Sequence, residues 1–128
     1  MASIDNRWQG VGEPVCRIEV PTINCPNEAT AEVTTTVRIN MTIKTIVVRA
    51  GACTGVITFT LKLSDDNGAL HLSKAAIAKN AKTVLLSTKA TADFDEICMN
   101  GLITVGITPS GDPATVGGVN VNVDLMGI

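Results

Sequence analysis

The amino-acid sequence predicts an all-β fold, an antiparallel β-sandwich or small jelly roll of about 6–8 short strands with an extended N-terminal arm. Three observations lead there. Apolar residues recur at every second position in segment after segment, which is the period of a half-buried strand. Clusters of Gly, Pro, Asn and Asp separate those segments and turn the chain. Aromatic residues make up only 2% of the chain, so Val, Ile, Leu and Thr must fill the core, and β-branched residues favour strands. The 128 residues suit one domain with a real hydrophobic core, and 45% hydrophobic against 17% charged residues argues against disorder.

Residues 1–30 stand apart as an N-terminal arm or extension, with the β-sandwich domain in 31–128. They hold Gly10, Gly12, Pro14, Pro21 and Pro26, little alternation, and the single tryptophan. Val15 to Val20 makes one short strand between Pro14 and Pro21. Two readings stay open for this segment: a terminus packed on its own domain, or an arm that docks on a neighbouring subunit. In the second, Arg7 and Trp8 are the candidate inter-subunit contact, since tryptophan is enriched at interface hot spots.

From Glu32 the pattern sharpens. Val37, Ile39, Met41 and Ile43 alternate with Arg38, Asn40, Thr42 and Lys44 in a long two-faced strand. The alternation breaks at Thr45, where Ile46, Val47 and Val48 run together. Either a bulge flips the phase or both faces are covered there. Val56 to Leu72 reads as a core hairpin, with Ile57, Phe59, Leu61 and Leu63 on one face and Asp65-Asp66-Asn67-Gly68 reversing the chain. Ser73 to Lys82 is either a single helical turn capped by Ser73 or an open crossover between sheets. Thr83 to Thr88 is strand-like, with Val84 and Leu86 on one side, and Ala92 to Met99 is a loop or edge strand that Gly101 ends. Leu102 to Ile107 is a strand, Thr108 to Gly118 a loop, and Val119 to Leu125 the cleanest strand. In the last, Val119, Val121, Val123 and Leu125 face in while Asn120, Asn122 and Asp124 face out.

Few residues point to chemistry. His71, the only histidine, lies in a strand between Leu70 and Leu72 and reads as solvent-facing rather than as a general base. No Gly-x-Ser-x-Gly appears, and Gly10-x-Gly12 neither follows a clear strand nor opens a helix. Asp65, Asp66, Asn67 and Gly68 have the composition of a calcium loop without its alternate ligand spacing or distant Glu. Asp93, Asp95 and Glu96 form the densest acidic cluster and read as a solvated edge that resists aggregation. Cys16, Cys25, Cys53 and Cys98 never form a Cys-x-x-Cys pair, so a zinc site has little support. Reduced thiols packed as small hydrophobes are the plainer reading, while a disulfide between Cys16 and Cys25 would close a short loop around Pro21 in oxidising surroundings. No catalytic residue, metal or cofactor is expected.

The net charge of −2 and pI near 5.2, with basic residues scattered singly, argue against nucleic acid as a partner. No apolar run approaches the roughly 18 residues of a membrane span, and the first residues lack the pattern of a signal peptide. Synthesis in a host cytoplasm without a membrane anchor is the expectation.

Several stretches together carry a resemblance: Val56-Ile-Thr-Phe-Thr-Leu-Lys-Leu with Asp66-Asn-Gly68, Leu70-His-Leu-Ser-Lys-Ala, Gly101-Leu-Ile-Thr-Val, and Gly117-Gly-Val-Asn-Val-Asn-Val-Asp-Leu125. In them the chain resembles small virion proteins of tailed bacteriophages, above all capsid decoration (cement) proteins. The resemblance is one of general style over roughly the last 75 residues, and none of the stretches is a specific motif. It implies a non-catalytic structural protein located in the virion, which binds the major capsid protein and associates with itself, a homotrimer being favoured. A tail, neck or fibre-base component is the alternative, as is a carbohydrate- or receptor-binding β-sandwich. The lack of tyrosine and the single tryptophan count against sugar stacking in the latter.

Overall fold

The computed structural model describes residues 16–87 and 91–128. The Arg7–Trp8 contact expected from the sequence lies outside the described residues. Among the described residues eight antiparallel strands follow one another: β1 (Cys16–Glu19), β2 (Ile23–Cys25), β3 (Val33–Ala50), β4 (Thr58–Asp65), β5 (Leu70–Ala78), β6 (Ala81–Leu86), β7 (Ile97–Pro109) and β8 (Val119–Gly127). They are joined in the order β1-β8-β3-β7-β4-β5, with β2 also pairing β8 and β6 also pairing β3.

The 18-residue β3 belongs to both halves of the sandwich. Its first part, from Val33 to Ile43, pairs with β7, which continues into β4 and β5. Its last part, from Thr45 to Ala50, lies between β6 and β8. Against β8 the register shifts between Ile43 and Thr45, so Lys44 is an extra residue in the ladder. This bulge flips the phase. Ile39, Met41 and Ile43 are buried before it, and Ile46, Val48 and Ala50 after it. Val47 is buried as well, so both faces are also covered there. A bulge bends a strand, which lets one chain segment serve two packed layers.

The junction leaves no room for a side chain from β8. A Cβ at Gly127 would lie 1.7 Å from the Thr42 carbonyl oxygen. Between the layers, Phe59, Leu61, Leu63, Ile103, Val105 and Ile107 share one buried cluster with Ile46, Val48, Leu85, Val121, Val123 and Leu125. At about 25 cal/mol per Å² of apolar surface removed from water, this cluster is the main stabilising term.

Several sequence expectations change. Of residues 1–30, the described part packs on its own domain, one of the two readings left open for the segment. β1 and β2 pair along β8, and Val20, Ile23 and Cys25 enter the core. Pro21 lies between these two strands and Pro26 directly after the second. The helical turn at Ser73–Lys82 does not form. β5 runs to Ala78, and the chain crosses at Lys79–Asn80 to β6 in the other half, which is the crossover alternative built from strands. The register slips between Phe59 and Leu61 where Ala76 takes a left-handed φ of 62°, so the small alanines accommodate a bulge instead of a helix.

Gly101 does not end a segment either. β7 passes through it opposite Ile39, because the inward phase of Ile97 and Ile103 is unbroken across it. In β6 it is Leu85 that enters the core, while Val84 is exposed. Thr88, expected at that strand's end, lies outside the described residues.

Candidate binding surfaces

Two surfaces bring polar or apolar groups together in ways that the core does not require. The first is a platform of loops at the end of the sandwich where β3 stops and β8 begins. Gly51 N donates to Asn120 O at 2.9 Å, Gly55 N to Pro113 O at 2.8 Å, and Asn80 N to Gly51 O at 2.9 Å. Thr54 N donates to Thr115 Oγ1 at 2.8 Å. The Lys79 ammonium donates to Cys53 O and Gly55 O at 2.8 and 2.6 Å. Asp112 Oδ1 accepts from Glu28 N and Ala114 N, both at 2.8 Å. A Cβ at Gly55 would lie 2.3 Å from Asp112 O, so only glycine permits the two loops to meet this closely. From this cross-linked platform Val56 and Val116 project with 97% and 94% of their surface exposed. Loops held this firmly present their apolar side chains at little ordering cost to a partner.

The second is a cleft on the outer face of β1, β3 and β8. Alternation along β8 directs Asn122 and Asp124 outward, with Arg49 across from Asn122 and Glu19 across from Asp124. The Asp124 side chain is nevertheless only 7% exposed, because Arg17 and Arg49 lie over it. Arg49 Nη1 donates to Asp124 Oδ2 at 2.7 Å and Arg17 Nη2 to the same oxygen at 3.1 Å. Burial alone would push the Asp124 carboxyl up, but the hydrogen bonds and charges of Arg49 and Arg17 outweigh it and hold it below the usual carboxylate range. Both arginine side chains stay about half exposed, at 52% and 48%, and Arg17 also lies 3.2 Å from Glu19. Thr22 donates its hydroxyl to Asn122 Oδ1. With Val20 and Pro21 these residues line a cleft of about 470 Å³.

The residues singled out in the sequence have other duties. Asp65 Oδ1 accepts from Asn67 N and Ala69 N, each at 2.9 Å, and Oδ2 lies 3.1 Å from His71 Nε2. The backbone N–H of Ala69, and then His71, lower the Asp65 carboxyl. The residues weighed as a calcium loop and a general base therefore close a turn. A further register slip between Leu63 and Ser64 carries His71 out of strict alternation and leaves Leu70 exposed. The acidic cluster is dispersed. Asp93 Oδ2 accepts from Leu86 N at 2.9 Å, and Glu96 lies 3.5 Å from Lys44.

The disulfide weighed between Cys16 and Cys25 does not form. Cys16 pairs with Gly127 and Cys25 with Val119, at opposite ends of β8. Eight strand positions span about 26 Å, far beyond the roughly 7 Å between Cα atoms that a disulfide tolerates. All four thiols are free, Cys25 fully buried and Cys16 and Cys98 exposed. Burial, with a smaller contribution from nearby Cys53, pushes the Cys25 thiol up.

No protein-family model matches the chain, and no curated protein matches it. Among solved structures it is similar to the isomalto-dextranase of Arthrobacter globiformis T6, complexed with panose, at 16% identity and a TM-score of 0.43. That likeness covers 87% of this chain and 23% of the other. It is also similar to a chain of infectious bursal disease virus Gx strain, at 9% identity and a TM-score of 0.39, covering 89% of this chain and 32% of that one. The Gt strain of the same virus gives 12% identity and a TM-score of 0.38, covering 88% and 32%. The chain thus spans a third or less of the length of each of these structures.

Proposed function

We propose that the chain is a non-catalytic structural component of a virus particle, a decoration or cement protein that binds the major capsid protein and associates with itself. The loop platform is the observation that carries this reading. Val56 and Val116 stand almost wholly exposed on loops locked by backbone hydrogen bonds, an arrangement that serves docking better than turnover. The edge of β5, unpaired among the described residues, supports it too, since edges lend themselves to strand addition by a partner. The resemblance to capsid decoration proteins names the partner, and a homotrimer around a lattice symmetry axis is the favoured assembly.

Light scattering and co-sedimentation with purified capsids of the parent virus test this directly. An oligomer that pellets with capsids supports the reading. A strict monomer that stays in the supernatant overturns it.

A further inference from the structure

The cleft over Asp124 has a chemistry that capsid binding does not call on. Its two guanidiniums share an anchor: one nitrogen of each is held by the same buried carboxylate oxygen, while both arginine side chains stay about half exposed. A planar fork held in this way takes a carboxylate through paired N–H donors, with little further ordering. Arg17 is partly answered at the rim by Glu19, whereas Arg49 meets only the submerged Asp124. Among the lining residues two cations balance two acids, so the cleft has no surplus positive charge to draw a polyanion.

Around the arginines stand groups that bond hydroxyls. Thr22 and Asn122 form a linked pair on one wall, and Glu19 offers an acceptor on another. Pro21 adds a small exposed apolar surface against which the C–H face of a ring can lie. The volume of about 470 Å³ falls in the range of small-ligand sites.

We propose that this cleft binds an acidic saccharide, its carboxylate on Arg49 and Arg17 and its hydroxyls on Thr22, Asn122 and Glu19. The site is independent of the loop platform, so it stands or falls separately from capsid binding.

Titration followed by 15N–1H NMR of the intact chain tests it with three probes: glucuronate, glucose and acetate. Glucuronate is expected to shift the amide signals of residues 17–20, 22, 49 and 122–124 saturably. Its affinity should exceed those of glucose and acetate by roughly tenfold or more, because only it engages both the forks and the hydroxyl partners. Arg49→Lys keeps a cation on Asp124 and loses the fork, so it should weaken glucuronate binding severalfold while the rest of the spectrum is preserved. Asn122→Ala, which removes no charge, should weaken it as well. Equal binding of acetate or of glucose overturns the assignment. So does the absence of saturable shifts in the cleft, or glucuronate binding that neither variant changes.

Discussion

Asp65 and Asp124 both have carboxyls held below the ordinary range, and they are held there by different means. Asp65 sits in the β4–β5 turn, where the backbone N–H groups of Ala69 and Asn67 and the ring of His71 surround it within six residues of sequence. Asp124 lies in the middle of β8, and its partners come from 107 residues away in β1 and 75 residues away in β3. One carboxylate closes a turn. The other ties three strands together beneath a cleft. The difference shows how a long-range ion cluster serves two purposes: it clips the N-terminal strand to the sheet, and it fixes two guanidiniums in an open position.

That contrast sets the order of the expected effects. Asp124→Asn removes the charge that both arginines answer and should cost about 2 kcal/mol in urea unfolding, the range of hydrogen bonds to charged groups. Asp65→Asn should cost less, because the turn retains Gly68 and water can replace the exposed bonds. Equal losses would dissolve the distinction between the two sites.

Acid sharpens it. A carboxylate whose folded pKa is depressed stabilises the fold above its unfolded value of about 4, and that contribution is lost as pH falls through the lower folded value. Urea midpoints measured from pH 6 to pH 2 should therefore drop on the acid side. The drop should be shallower in Asp124→Asn and in Asp65→Asn than in the unaltered protein, since each removes one carboxylate held below the ordinary range. An unchanged acid limb in Asp124→Asn would mean that the arginines do not hold that carboxylate.

The smallest effect concerns the thiols. Exposed Cys16 and Cys98 should react with a maleimide in the folded protein, while Cys25 should react only as fast as the fold opens. Mass spectrometry of timed samples separates them. Early labelling of Cys25 would contradict its place between β2 and the core.

Much of the fold was legible because strand periodicity is local. Phe59, Leu61 and Leu63, or Val121, Val123 and Leu125, announce a buried face with no knowledge of their partners. The break at Thr45 left open a bulge or coverage of both faces, and β3 has both; that it passes from one layer to the other was not legible. Ser73–Lys82 misled because Ala and Lys favour helix on their own, whereas pairing with β4 and β3 decides the outcome. The cleft was not legible. Asp124 read as a single outward position, Arg17 and Arg49 drew no reading, and only the register of β1 and β3 against β8 brings them together. The platform was equally hidden, since a valine in a glycine-rich loop gives no sign of whether it will be buried.

The central claim is that the exposed valines of the loop platform dock the protein on its particle. The most direct measurement is co-sedimentation of the Val56→Asp, Val116→Asp double variant with purified capsids, beside the unaltered protein. Both side chains lie outside the core, so the variant should keep its unfolding midpoint within about 0.5 kcal/mol of the original. Burying two valines contributes on the order of 3 kcal/mol, so binding should weaken by about a hundredfold. A double variant that folds normally and pellets with capsids as the original does would contradict the account.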